Sequence, residues 1–178
     1  MGGYISYMMS FFWKKNLQIL FVGLDSAGRT TMLYYFKLGK AIDVYPTIGF
    51  NCEEIQFNNT TIKMFDVGGG DKIRPLWRHY YKDTNVIAFV VDSADHSRMS
   101  EAKQEIFNLL NDPLLDPNIL FLIYANKQDR RDAKSTSEIF EALDLKSVIN
   151  KKIHLQPCCA KNGEGLHEGI YWIFDHIN

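Results

Sequence analysis

Apolar, β-rich runs alternate along the chain with segments of helical period. Leu17–Val22, Val86–Val91 and Ile119–Tyr124 are continuous apolar runs, the pattern of strands buried on both faces. Phe50–Phe57 and Thr61–Phe65 flank the turn pair Asn58-Asn59 and read as a hairpin. Lys152–Gln156 supplies a further strand. Helical spacing fills Thr30–Leu38, Arg98–Leu110, Ser137–Leu143 and Leu166–Ile177, and Ser135 with Glu138 forms a capping box. Strands alternating with helices predict an α/β fold, a mostly parallel sheet with helices on both faces. No repeat, low-complexity segment or linker divides the chain, so residues 16–178 are expected to form one domain.

The first 15 residues carry a different pattern. Ile5, Met8, Met9, Phe12 and Trp13 fall on one helical face, Ser6, Ser10 and Lys14 fall on the other, and Lys15 follows. Met1-Gly2-Gly3-Tyr4-Ile5-Ser6 also fits the pattern for acylation of Gly2 by myristate. One acyl chain binds membranes marginally, and an adjoining amphipathic helix with terminal lysines provides the second signal that stable anchoring needs. A first helix packed on the body of the domain would show the same stripe. A secretory signal is disfavoured by the short apolar segment and the absence of a basic start.

Composition narrows the class without naming it. The chain has 178 residues, 46% hydrophobic and 23% charged, as in ordinary globular domains. A net charge of −1 gives no basic field to argue for nucleic acid. Cys52, Cys158 and Cys159 form no C-x-x-C pair, so free thiols in a reducing compartment are expected. Nothing points to an obligate oligomer, and a monomer is expected.

Ligands of such sheets gather at the carboxyl ends of the strands, and three motifs fall there, after Val22, Phe65 and Ala125. Gly23-Leu24-Asp25-Ser26-Ala27-Gly28-Arg29-Thr30-Thr31 follows the phosphate-loop pattern G-x-x-x-x-G-K-[ST] except that Arg29 replaces the lysine. Its glycines allow successive N–H groups to point inward, and the following helix adds its positive end. An ordinary strand-turn-helix corner remains the alternative for this segment alone. Thr30 offers a hydroxyl to magnesium. Arg29 keeps the charge but is planar and forked, so the exchange is not conservative.

Asn126-Lys127-Gln128-Asp129 suits guanine. A carboxylate at Asp129 can accept from the N1–H and exocyclic amine of that base, and adenine lacks this pair. Asn126 can bond the base edge and tie its loop down, and the Lys127 stem can cover a base face. Asp66-Val67-Gly68-Gly69 provides a carboxylate for a magnesium shell and a glycine N–H able to approach a γ-phosphate. Pro46-Thr47-Ile48-Gly49 places another hydroxyl, Thr47, before the hairpin.

Taken in order, these motifs resemble the Arf and Arf-like family of small GTPases over essentially the whole chain. The most specific stretches are Val22-Gly23-Leu24-Asp25, Pro46-Thr47-Ile48-Gly49-Phe50-Asn51, Asp71-Lys72-Ile73-Arg74-Pro75-Leu76-Trp77-Arg78-His79-Tyr80 and Ala125-Asn126-Lys127-Gln128-Asp129. The resemblance implies the P-loop small-GTPase fold with six strands, and GTP or GDP with Mg2+ as ligands. Asp25, Ser26, Ala27, Gly28, Arg29, Thr30 and Thr31 would line the phosphates. Thr30 and Thr47 would bind the metal, with Asp66 acting through water. Gly69 would sense the γ-phosphate. Asn126, Lys127 and Asp129 would read guanine, helped by N–H groups of Cys159 and Ala160. Phe50, Phe65 and Tyr80 match the aromatic patch that meets effectors, with Phe65 in place of the usual tryptophan. The family's switch slides the strands between its two switch segments and expels the acylated amino-terminal helix onto membrane. Its partners are exchange factors, activating proteins and effectors. The implied setting is the cytoplasm, peripheral on Golgi or other endomembranes when GTP-bound, in vesicle traffic.

Two departures lie in one site. The family carries glutamine after D-V-G-G, and here that position is Gly70. Glutamine orients the attacking water, and glycine has no side chain to do so. Arg29 is the second departure. The expectation is a chain that binds guanine nucleotide and hydrolyses GTP very slowly. The competing expectations are a related membrane scaffold that binds nucleotide poorly, and an ATP-using phosphoryl transferase, which Asp129 disfavours.

Overall fold

Buried β-branched and aromatic runs organise this chain around one sheet. The computed structural model describes residues 16–44, 47, 49–149 and 151–177. The expected amphipathic helix over residues 1–15, with Gly2, lies outside the described residues. Strands β1 (Asn16–Val22), β2 (Phe50–Phe57), β3 (Thr60–Val67), β4 (Val86–Asp92), β5 (Leu120–Asn126) and β6 (Ile153–Pro157) lie in the order β2-β3-β1-β4-β5-β6. Every pairing is parallel except the β2–β3 hairpin. Asn58 takes a φ of 53° at its turn, a left-handed conformation that asparagine tolerates. Among the described residues, four α-helices accompany the sheet: α1 (Arg29–Leu38), α2 (Met99–Leu110), α3 (Thr136–Ala142) and α4 (Leu166–His176).

The continuous apolar strands have a simple cause. Alternate residues feed two cores, one on each face of the sheet. Leu17, Ile19 and Phe21 of β1, with Val86, Ala88 and Val90 of β4, pack beneath Met32 and Leu33 of α1 and Ile170 and Ile173 of α4. Leu20 and Val22, with Ile87, Phe89 and Val91, pack on Ala102, Ile106 and Leu109 of α2 and Ile139 of α3. A polar residue in the middle of β1 or β4 would face a helix on either side. The edge strand β2 has one covered face, and its exposed positions include Glu54 and Gln56.

The chain leaves β1 toward β3 on one side, and β4 lies on the other. This reversal opens a crevice at the carboxyl ends of β1 and β4. The capping box at Ser135 and Glu138 is present, and it opens α3 one residue before the expected start. Sequence periodicity did not reveal the 3-10 turn Arg74–Tyr80, in which Trp77 alone is buried.

One helix position reverses the ordinary rule for alanine. Alanine normally stabilises a helix interior by about 1 kcal/mol relative to glycine. A Cβ on Gly169 of α4 would meet the Tyr124 hydroxyl at 2.4 Å, and that fully buried ring is held by its bond to Leu166 O at 2.9 Å. Gly169→Ala is therefore expected to destabilise the fold by about 1–3 kcal/mol, read by urea unfolding. A gain in stability would refute the contact.

Candidate nucleotide site

The loop between β1 and α1 has backbone positions that only glycine fills. Gly23 has a φ of 142°, and a Cβ there would lie 2.3 Å from Val90 O. Gly28 has a φ of 97°, and its Cβ would lie 2.4 Å from Asn126 Nδ2. Two neighbouring strand ends thus press on this loop from both sides. Helix α1 starts at Arg29 with no side-chain cap and no acid in its first turn. Its amino end is left to an anion.

Asn126 binds three segments together. Its Nδ2 donates to Ala27 O at 2.8 Å, and its Oδ1 accepts from Ala160 N at 2.9 Å. Lys127, at a φ of 66°, extends over the phosphate loop and donates to Ser26 O at 2.8 Å and to Asp92 Oδ2 at 2.7 Å. These residues border a cleft of about 920 Å³, together with Gly28, Thr31, Asp129, Cys159 and Ala160. Asp129 is exposed there, and its carboxylate forms no hydrogen bond or ion pair among the described residues.

The backbone donors of Cys159 and Ala160 are placed differently from the expectation. Cys159 N donates to Glu164 O at 2.9 Å, and Ala160 N is given to Asn126. Both residues are buried at the cleft wall, where these bonds shape the loop. Burial also pushes the neighbouring Cys158 thiol well above its ordinary pKa.

The three magnesium candidates come together from three separate segments. Thr30 Oγ1 lies 2.8 Å from Thr47 Oγ1 and donates to Asp66 Oδ2 at 2.6 Å. Thr47 donates to the same oxygen at 3.2 Å. Asp66 is fully buried, and among the described residues its Oδ1 accepts no hydrogen bond. Two hydroxyls and a carboxylate with an unused oxygen form the hard donor set that a magnesium ion takes, so these residues fit that group.

The Arg29 side chain turns toward the ends of β1 and β3. Its guanidinium is buried, and Nη1 donates to Gly23 O at 2.9 Å and to Val67 O at 2.6 Å. Nε stands 3.5 Å from Asp66 Oδ1. Burial lowers the Arg29 pKa from its ordinary value, and Asp66 opposes that shift. The residue therefore ties the phosphate loop to the end of β3.

The backbone beyond β3 is held carbonyl by carbonyl. After Val67 O, Gly68 O accepts from Trp77 Nε1 at 3.0 Å and Gly69 O from Arg74 Nε at 2.8 Å. Gly70 O accepts from Ile73 N and Arg74 N. Arg74 also pairs with Asp71, Glu101 and Glu105, which moors the segment to α2. Gly69 lies against the phosphate loop so closely that a Cβ would be 2.2 Å from Gly23 O and 2.6 Å from Asp25 N. Among the described residues, a Cβ on Gly70 would meet nothing within 4 Å.

Sequence reasoning assigned no role to Arg74, Trp77 or Arg98. Arg98 donates to Asp25 Oδ1 at 2.8 Å and to Asp25 O at 3.1 Å, which fixes the crest of the phosphate loop. An arginine at the start of a helix following the β4 strand end was the available signal. The aromatic patch is contiguous. Tyr80 stands between Phe50, at 5.5 Å, and Phe65, at 5.7 Å, and Phe50 is 54% exposed.

A six-stranded sheet of this order, with a phosphate loop after its first strand and an N-K-x-D loop after its fifth, defines a small-GTPase fold. The model of the ADP-ribosylation factor family matches residues 4–177, and the chain belongs to that family. It is 46% identical to ADP-ribosylation factor J of Dictyostelium discoideum over 180 residues, which is 100% of this chain and 95% of that protein. Among solved structures it is similar to the Arl6 BBS3 small GTPase of Trypanosoma brucei with bound nucleotide analogue GppNp. That match has a TM-score of 0.82 and 33% identity, and it covers 90% of this chain and 96% of the other. Family members are GTP hydrolases that bind guanine nucleotide together with regulators and effectors. Among the described residues no helix is long and apolar enough to cross a membrane.

Proposed function

We propose that the chain is a guanine-nucleotide switch of membrane surfaces that recruits effectors in vesicle traffic and hydrolyses GTP very slowly. The observation that carries the reading is the unpaired Asp129 carboxylate in the cleft beside the phosphate loop. A carboxylate in the turn just beyond β5 matches the two adjacent donors of a guanine edge. The crossing Lys127 stem covers a base face, and the uncapped end of α1 attracts the phosphates. A magnesium ion held by Thr30, Thr47 and Asp66 would neutralise charge on those phosphates. Gly69 N–H is the donor for the third phosphate, and its contact with Gly23 to Asp25 couples that phosphate to the 68–80 segment. Gly70 supplies no group to orient water, which supports slow hydrolysis.

The acylated amphipathic amino terminus would anchor the protein on Golgi or another endomembrane. The patch of Phe50, Phe65 and Tyr80 would meet effectors. The competing scaffold reading, with weak nucleotide binding, draws on the inward turn of Arg29.

One preparation tests both halves of the proposal. Protein purified from a eukaryotic cell is expected to carry a myristoyl mass on Gly2 and co-purifying guanine nucleotide, with GTP retained. An empty protein that binds neither GDP nor GTP at micromolar levels with magnesium present would favour the scaffold. An unmodified Gly2 without membrane association would count against the anchor.

A further inference from the structure

Asp66 has a different neighbour at each oxygen. Oδ2 accepts from Thr30 and Thr47, and those hydroxyls also touch each other at 2.8 Å. Oδ1 is buried without a hydrogen bond among the described residues, and the Arg29 guanidinium approaches it to 3.5 Å. A carboxylate with no exposed surface is strongly disfavoured without a counter-charge. Arg29 is itself fixed, because its Nη1 is spent on Gly23 O and Val67 O. The fork of a guanidinium allows this division, with one nitrogen on two carbonyls and another facing the acid. A lysine ammonium is a single point that cannot be spread in this way.

We infer that Arg29 supplies at Asp66 part of the counter-charge a divalent cation would give that carboxylate, so that release of bound guanine nucleotide depends only weakly on magnesium. The inference rests on the guanine-nucleotide reading above. A resident positive charge beside Asp66 weakens the pull of that carboxylate on a second cation. An entering ion must also break the closed set of bonds among Thr30, Thr47 and Asp66. The cation is built into the chain, so a chelator cannot remove it.

The test is the dissociation rate of a fluorescent GDP from the full chain, with excess magnesium and with EDTA. Wild type is expected to change by less than about threefold, and Arg29→Lys by about tenfold or more, since one paired charge is moved out of reach of the acid. A wild-type rate that rises with EDTA as steeply as that of R29K overturns the inference while leaving nucleotide binding intact. Absence of GDP binding even with magnesium defeats the nucleotide reading and the inference with it. Wild type alone decides the matter should R29K fold poorly.

Discussion

Replacing Gly70 by glutamine is expected to raise single-turnover GTP hydrolysis by about 10²–10³-fold, the usual worth of one positioned transition-state group. The structure favours this substitution on two counts. A Cβ at Gly70 meets nothing within 4 Å, and the backbone there is not in the left-handed region that penalises side chains. The segment is already moored by Arg74 and Trp77 on its neighbouring carbonyls, so an added amide would start from an ordered base. Gly70→Ala is the control: it stiffens the same backbone without an amide and should not accelerate the reaction. Equal rates for Gly70→Gln and the wild type, with GTP bound, would show that another part of the site limits hydrolysis.

Asp129→Ala is expected to weaken GDP binding by about 10²-fold or more, the scale set by losing a charge-assisted bidentate contact. Stability should barely move. The carboxylate is exposed and has no hydrogen bond or ion pair among the described residues, so the fold loses nothing with it. ATP binding, weak from the start, should stay unchanged, because adenine does not present the paired donors. Calorimetric titration with both nucleotides reads the difference. Unaltered GDP affinity in a folded variant would remove Asp129 from the site.

Much of this could be read along the chain because the physics is local. Continuous apolar runs such as Val86–Val91 signal a strand covered on both faces, and β4 does divide its residues between two cores. The glycines at 23 and 28 are called for by the turn itself. Thr30, Thr47 and Asp66, singled out from three separate motifs, lie within hydrogen-bond distance of one another.

What escaped depends on tertiary partners or on turns without a hydrophobic period. The direction of Arg29 is set by Val67 O, 38 positions away, and by Asp66, and no local pattern encodes either. The Cys159 and Ala160 N–H groups were assigned to a base, but Glu164 and Asn126 claim them. The 3-10 turn Arg74–Tyr80 carries one buried side chain, too few for any period to register.

Asn126 joins the phosphate loop, the β5 end and the Cys158-Cys159-Ala160 segment through bonds to Ala27 and Ala160. With that amide and the Lys127 ammonium as ties, the base and phosphate walls of the cleft are expected to loosen together. Strain applied at one wall would reach the other through these hydrogen bonds, and nucleotide departure is then expected as one concerted opening. A regulator that pries at either wall would then act on both.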